Sequence, residues 1–283
     1  MRIHPDIQKV EREYDIDSLY REGASFIDKE AIIVDDFRGF YKDSIINNDQ
    51  KAVDERKAEQ DQRINSSSFE KDKHKKTIIS EATFLKMVKE YGHLGPESTI
   101  IKTSKYDEFE NKTGFVVEIP TKSKHTTSYL ALSVDITFDY DNDEKFNEIR
   151  KEIESGNLAE IKYFKSKGFQ GTLFRVPRVI FAVDFKTIKD INDLGGGIDE
   201  ESKKELREHF IQFQFLEEAL MQFRAFKKYA LSIGKKEIAS VYEGAESVIK
   251  EIYEERQRVI GDSGNRDSLR DLMKVKTDKF LLD

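Results

Sequence analysis

The 283-residue sequence contains no cysteine and no tryptophan, and only 4 of its residues are proline. The lack of cysteine excludes disulfides, thiolate catalysis, and zinc or iron–sulfur sites built on cysteine ligands. No apolar run approaches the ~18 residues that a membrane-spanning helix needs. The opening residues MRIHPDIQKVEREYDID are too charged for a signal peptide. We therefore expect no membrane partner and a cytoplasmic location.

Charge dominates what remains, since 36% of the residues are charged and the net charge is −7. A chain this acidic is not expected to attract nucleic acid or anionic membranes by long-range electrostatics. A metal-dependent nuclease is still compatible with the charge, because its site needs carboxylates. The 20 phenylalanines and 11 tyrosines supply enough apolar surface for one core.

Shifts in composition divide the chain into five predicted regions. These are an N-terminal helical and extended segment (1–47), a charged linker that is either a solvated helix or disordered (48–76), an α/β core (77–200), a helical hairpin packed on the core (201–258) and a polar C-terminal tail (259–283). The hairpin is predicted from two apolar stripes at three-to-four-residue spacing, separated by a turn at Gly234.

The segment Leu130–Phe138 is the most informative stretch of the core. Large apolar side chains alternate with small ones, as expected of a strand with one bulky face and one small-residue face. Asp135 is the lone carboxylate on the small-residue face. Such a residue is typical either of a minor edge position or of a site with room for a metal ion.

The predicted elements between residues 78 and 164 follow the order helix, strand, strand, strand, helix, strand. They are a helix at 80–91, strands at 99–103, 114–119 and 130–138, a helix at 143–154 and a strand at 158–164, with a further strand at 178–185. This pattern predicts an α+β fold. It would contain a mixed sheet of about five strands flanked by helices, with a C-terminal antiparallel helical hairpin.

That order of elements resembles the core of the PD-(D/E)XK nuclease-like superfamily, which has a restriction-endonuclease-like fold. The resemblance covers about a third of the chain. It implies acids on two neighbouring strands that bind Mg²⁺, and a lysine two residues after the second acid that positions or activates the attacking water. Two assignments of these roles are open.

In the first assignment, Glu118 and Asp135 are the metal ligands on adjacent strands. The lysine position of the acid-x-Lys motif is then occupied by Thr137. Lys145, in the first turn of the following helix, would replace that lysine, and Glu81 on the preceding helix would add a carboxylate.

In the second assignment, Asp135 is the first acid and Glu160-Ile161-Lys162 supplies the complete acid-x-Lys motif. Period 2 places Glu160 and Lys162 on one face of their strand. A whole helix then lies between the two strands, where the family has a hairpin.

The leading functional hypothesis is a Mg²⁺-dependent phosphodiesterase or nuclease of PD-(D/E)XK type that acts on nucleic acid. Glu118, Asp135 and Glu160 are the candidate metal ligands, and Lys145 and Lys162 are the candidate catalytic lysines. The alternative is a catalytically inactive scaffold or interaction module. In that case the C-terminal hairpin would bind a partner or form a homodimer through its apolar stripes.

Overall fold

The computed structural model describes residues 5–122, 127–138, 143–196 and 199–281. Its α-helices are α1 (Pro5–Glu30), α2 (Asp43–Ile64), α3 (Ser68–Tyr91), α4 (Lys105–Phe109), α5 (Asp143–Ser155), α6 (Phe185–Gly195), α7 (Glu200–Glu208), α8 (Ile211–Ser232), α9 (Lys236–Val259) and α10 (Ser268–Lys279). Its strands are β1 (Thr99–Lys102), β2 (Phe115–Lys122), β3 (Thr127–Thr137), β4 (Ala159–Lys165), β5 (Gln170–Val176) and β6 (Arg178–Ala182). The predicted α+β class is confirmed.

The strands form two separate sheets, which corrects the expectation of one sheet with about five strands. The main sheet has four strands in the order β1-β2-β3-β6, in which β2 is antiparallel to both β1 and β3, and β6 is parallel to β3. The predicted strand at 158–164 corresponds to β4, which pairs only with β5 in the second sheet. β5 was not predicted, because its pairing with β4 is irregular and its side chains are mostly half-exposed, so the period-2 signal is weak.

One face of the main sheet carries the large apolar side chains and closes the principal core. Leu132, Val134 and Ile136 of β3 are buried there. A cluster of aromatic rings joins this face to two helices: Phe181 of β6 stacks on Phe215 of α8 with ring centroids 4.9 Å apart, and Phe84 of α3 lies 5.4 Å from Phe215. Burial of this surface supplies the main apolar driving force for folding.

The small-residue face of the same sheet is covered by the second sheet. Val116 of β2 packs with Ile161 of β4 and Val176 of β5, and Ala131 of β3 packs against the same cluster. The small size of Ala131 therefore makes room for the β4–β5 hairpin. The room for a metal ion that the sequence pattern predicts lies farther along the same face, beside Asp135.

The outer edge of β6 is satisfied by side chains of α8. The amide of Gln222 accepts a hydrogen bond from the Ile180 N–H at 3.0 Å and donates one to the Ile180 carbonyl at 2.6 Å. One turn earlier Glu218 accepts from the Ala182 N–H at 2.9 Å, and Gln214 donates to the Ala182 carbonyl at 3.0 Å. Polar residues four positions apart on one helix thus take the role of a neighbouring strand.

The predicted helical hairpin is present, and its apolar stripes face inward. α8 and α9 are joined at Gly234, whose φ of 78° is in the left-handed region that favours glycine. α8 is buried along most of its length, and the stripe on α9 is buried as well. The large apolar residues that stay exposed on the hairpin lie at helix ends: Leu231, Ile233 and Val259. The apolar stripes of both helices are therefore buried in the core of the chain itself.

The charged segment 48–76 lies in α2 and α3 and in the short connection between them. Ser67 caps α3, since its side chain accepts a hydrogen bond from the Glu70 N–H at 3.1 Å. The expectation that this helix starts at Ser80 is therefore wrong. Ser80 is a buried residue inside α3, because the helix continues through charged turns that gave no apolar signal. No helix in the described ranges is long and apolar enough to cross a membrane.

Candidate functional site

Asp135 lies near the end of β3, on the small-residue face. Its Oδ2 is 3.3 Å from Nη1 of Arg178 on β6, and its Oδ1 is 3.9 Å from Nζ of Lys145 on α5. Continuing the β2–β3 register by one residue beyond the pair Phe115–Val134 places Gly114 opposite Asp135. The neighbouring strand therefore offers no second carboxylate at this level.

Glu118 is too far along the sheet to share an ion with Asp135. It pairs with Ala131 on β3, four residues from Asp135, which corresponds to about 13 Å along the strand. Its carboxylate accepts a hydrogen bond from the Thr99 hydroxyl at 3.3 Å. The first assignment therefore loses its pair of metal ligands, because period 2 placed both acids on one face but gave no information on register.

Glu160 and Lys162 are separated from Asp135 by the sheet topology. β3 is paired with β2 on one side and β6 on the other, whereas β4 belongs to the second sheet. Glu160 is exposed on β4. The two neighbouring strands that the second assignment needs are therefore not formed, and the adjacency of strands in sequence was a misleading guide to adjacency in space.

Lys162 instead lies in a cluster of tyrosine rings. Its Nζ pairs with the Asp49 carboxylate of α2 and lies 4.8 Å from the ring centroid of Tyr106 and 5.4 Å from that of Tyr163. Burial, together with a hydrogen bond from its hydroxyl to Asp49, raises the pKa of Tyr163 well above its ordinary value. Asp49 thus links α2 to β4, and the cation–π contacts join Lys162 to the rings of Tyr106 and Tyr163. These contacts hold Lys162 between α2, α4 and β4.

A cleft of about 240 Å³ lies at the end of the main sheet, where β1 and β3 end and β2 begins. It brings together three residues named by the first assignment, Glu81, Asp135 and Lys145. The other side chains and glycines that line it are Glu108, Lys112, Gly114, Glu144 and Glu148. The cleft is thus rich in carboxylates.

Lys102 is a buried cation beside this cleft that the sequence analysis missed. Its Nζ is 2.9 Å from a carboxylate oxygen of Glu108 and 3.3 Å from one of Glu81. Burial lowers the pKa of a lysine, but at Lys102 the attraction of the two carboxylates outweighs burial and raises the pKa. A signal was available, since the alternation in β1 places Lys102 on the same side as the buried Ile100.

Arg178 is the second buried cation that the sequence analysis missed. Besides Asp135, its guanidinium donates to Glu152 of α5 at 2.8 Å, to the carbonyl of Asn111 at 3.0 Å and to the carbonyl of Lys112. Burial raises the pKa of Glu152, and the attraction of Arg178 offsets part of that rise. Arg178 thus joins β3, β6, α5 and the turn before β2 in one network.

The surroundings of the carboxylates bear on the Mg²⁺ site that the resemblance implies. Within the described ranges, no three histidine, aspartate or glutamate side chains are grouped so that they could hold an ion. Glu81 and Glu108 face the ammonium of Lys102, and Asp135 faces the guanidinium of Arg178. The carboxylates of Glu81, Glu108 and Asp135 are therefore each engaged with a protein cation.

Comparison with protein-family models, with curated proteins and with solved structures finds no match to this chain.

Proposed function

We propose that this protein has a nuclease-like core without metal chemistry and acts as a non-catalytic interaction module. The observation that carries the proposal is the state of Asp135. Its carboxylate is held by Arg178 at 3.3 Å and faces Gly114 across the β2–β3 pair. The acid-x-Lys position two residues later is Thr137. Metal-assisted hydrolysis of this type would use a second acid on the neighbouring strand and a lysine two residues after Asp135. Gly114 and Thr137 occupy these positions and supply neither group.

The order of elements supports the nuclease-like part of the proposal. Apart from the short α4 between β1 and β2, the elements α3, β1, β2, β3, α5 and β6 follow the helix, strand, strand, strand, helix, strand order, and the four strands belong to one mixed sheet. The β4–β5 hairpin is then an insertion between α5 and the last strand of the core. It covers part of the small-residue face of the sheet, and the end near Asp135 opens into the cleft.

We infer that the surface offered to a partner is an apolar patch made of the exposed side chains of Ile33, Phe40 and Phe169. Their exposed fractions are 62%, 60% and 46%. Their two segments are joined through Asp36, whose carboxylate pairs with Lys165 at 3.0 Å and whose carbonyl accepts from the Gln170 amide at 3.2 Å. Exposed aromatic surface with a charged rim is typical of protein–protein contacts. The patch replaces the helical hairpin as the candidate interface, because the stripes of the hairpin are buried.

Calorimetric titration with Mg²⁺ and Mn²⁺, together with a cleavage assay on single- and double-stranded nucleic acid, tests the absence of metal chemistry. We expect neither binding nor cleavage. Asp135→Asn should lower the free energy of unfolding by about 1–2 kcal/mol, because it weakens a charged hydrogen bond to Arg178. Glu118→Gln is the matched control and should stay within ~0.5 kcal/mol. Metal binding that disappears in Asp135→Asn would refute the proposal.

A photo-crosslinking residue introduced at Phe40 tests the apolar patch in cells. We expect a discrete adduct that is lost when Ile33 and Phe169 are both changed to serine. The same probe at Val259, which is 75% exposed on α9, is the control and should give no adduct. An adduct of twice the chain mass would identify the predicted homodimer and place it at this patch. Equal labelling at both positions would contradict the interface.

A second candidate function is metal-dependent phosphodiester cleavage in the cleft. It is favoured by the meeting of Glu81, Asp135 and Lys145 in one concave site. Lys145 lies 3.9 Å from Asp135, close enough to orient an attacking water beside that carboxylate. Mg²⁺-dependent cleavage that is lost in Asp135→Asn and in Lys145→Ala, and kept in Glu118→Gln, would favour this candidate over the first.

A further inference from the structure

A pocket of about 270 Å³ lies between α5 and the end of α10. It shares no lining residue with the cleft beside Asp135 or with the apolar patch. The residues that line the pocket are Asp143, Phe146, Asn147, Arg150, Lys276, Lys279 and Phe280. Three of these residues are cations and one is an acid, so the pocket is basic although the chain has a net charge of −7.

Arg150 is oriented in this pocket by contacts that leave its charge unpaired. Its guanidinium carbon lies 4.6 Å from the ring centroid of Tyr229 and 4.7 Å from that of Phe280, and Nη2 donates to the Phe280 carbonyl at 2.7 Å. In the part of the chain that the structure describes, no carboxylate lies within ion-pairing distance of this guanidinium. Arg178 and Arg266, by contrast, each pair with two carboxylates. A guanidinium has five N–H donors, so most of those on Arg150 remain for another partner.

Two lysines of α10 bring further positive charge to the same pocket. The Lys276 side chain is only 12% exposed, and its ammonium pairs with the carboxylate of Asp143. Lys279 is exposed and forms no ion pair with any of the described residues. Asp143 therefore neutralises one of the three cations, and two positive charges of the lining residues remain without a partner.

We propose that this pocket binds the phosphate group of a small soluble ligand. The planar fork of Arg150 can donate two parallel hydrogen bonds to phosphate oxygens, and two excess positive charges match a doubly charged phosphate. The dipole of α10 accounts for Lys276 and Lys279 in its last turn, but it does not account for an unpaired guanidinium on α5.

The size of the pocket limits the ligand. Sites for drug-sized molecules typically enclose ~300–1,000 Å³, and the pocket of about 270 Å³ is slightly smaller. The ligand is therefore a phosphate group with a small body. Because the pocket is separate from the cleft and from the apolar patch, its test is independent of the metal and crosslinking tests of the proposed function.

Calorimetric titration of the full chain with inorganic phosphate, at constant ionic strength in chloride, tests the inference. We expect saturable binding of one phosphate per chain and no competition from acetate, which carries a single charge. Arg150→Lys keeps the charge but loses the planar fork, and it should weaken binding about tenfold or more. Lys279→Met removes an exposed, unpaired charge and should weaken binding about fivefold.

Lys274→Met is the matched control, because Lys274 is exposed on α10 but does not line the pocket. It should bind phosphate as wild type does, and in chloride both methionine variants should have the Tm of wild type. The lack of saturable phosphate binding to wild type would overturn the inference. An equal loss of affinity in Lys279→Met and Lys274→Met, or unchanged affinity in Arg150→Lys, would also overturn it, because diffuse attraction to α10 would then explain the binding.

A flotation assay distinguishes a soluble ligand from a lipid headgroup as the source of the phosphate. The probes are phosphatidylcholine vesicles with and without phosphatidic acid. We expect the protein to float with neither kind of vesicle. Flotation with the phosphatidic acid vesicles alone, lost in Lys279→Met and kept in Lys274→Met, would contradict a soluble ligand.

Discussion

The two faces of the main sheet are covered by different kinds of contact. The apolar face is closed by rings such as Phe84, Phe181 and Phe215, which pack edge-on or stacked. The opposite face is closed by a small second sheet and, at its end, by the guanidinium of Arg178. The first kind of contact depends on shape and volume, and the second depends on pairing every buried charge.

The carboxylates of the second kind of contact form ion pairs with a buried cation and so contribute to the fold. An acid on the small-residue face of β3 resembled a metal ligand in sequence, but in space it pairs with a cation from β6. The oxygens of a carboxylate that is paired with a buried cation are less available to bind a ligand. Substitutions in each face separately test whether the two faces are stabilised by different forces.

Phe181→Ala should have the largest effect, because it removes a fully buried ring that stacks on Phe215. We expect a loss of about 3–5 kcal/mol in the free energy of unfolding, measured by urea denaturation. Tyr129→Ala is the matched control, since Tyr129 is an aromatic residue of β3 with 59% of its surface exposed. A loss in Phe181→Ala no larger than the loss in Tyr129→Ala would contradict the role given to the apolar face.

Arg178→Met should have the next largest effect, about 3 kcal/mol. It leaves the Glu152 and Asp135 carboxylates without their common cation and removes one donor from each of the carbonyls of Asn111 and Lys112. Arg175→Met is the control, because the pair of Arg175 with Glu237 is exposed and should be worth less than ~1 kcal/mol. If Arg178→Met were as stable as wild type in urea, charge pairing would not be what holds this face.

Glu218→Gln should have the smallest effect, and the effect depends on pH. Burial raises the pKa of Glu218 well above its ordinary value, so the folded state keeps a proton that the unfolded state releases above about pH 4.5. The contribution of Glu218 to stability therefore falls as pH rises from about 4.5 through its folded pKa. Glutamine does not titrate and removes this slope.

The measurement is urea unfolding of wild type and Glu218→Gln between pH 5 and pH 8. The difference in stability should shift steadily in favour of the variant as pH rises, and other titrating groups cancel in that difference. Glu251→Gln, at an exposed position on α9, should show a constant difference from wild type. A pH-independent difference for Glu218→Gln would mean that Glu218 is ionised in the folded state.

Local features were accessible from the sequence. The end of α3 at Gly92, which has a left-handed φ of 65°, and the hairpin turn at Gly234 both follow from glycine chemistry. The strands β2 and β3 and the helix α5 follow from their apolar periods. These features depend on contacts between residues that are close in the chain.

Pairing between distant segments was not accessible. The partner of β3 turned out to be β6 and not β4, and the register put Glu118 opposite Ala131. Neither the partner of a strand nor its register can be read directly from a single sequence. A shift of two residues between paired strands keeps every side chain on its face, so the apolar pattern does not distinguish the two registers. Lys102 and Arg178 were missed for another reason, since lysine and arginine are mostly exposed and are buried only with partners that come from elsewhere in the fold.

The edge of β6 has a consequence for how the chain is made. Its hydrogen-bonding partners Gln214, Glu218 and Gln222 belong to α8, which begins 29 residues after β6 ends. During synthesis β6 is therefore released from the ribosome well before the helix that satisfies it, and in that interval it presents an open strand edge to other chains. Truncation before α8 should convert a monodisperse protein into one that aggregates through this strand.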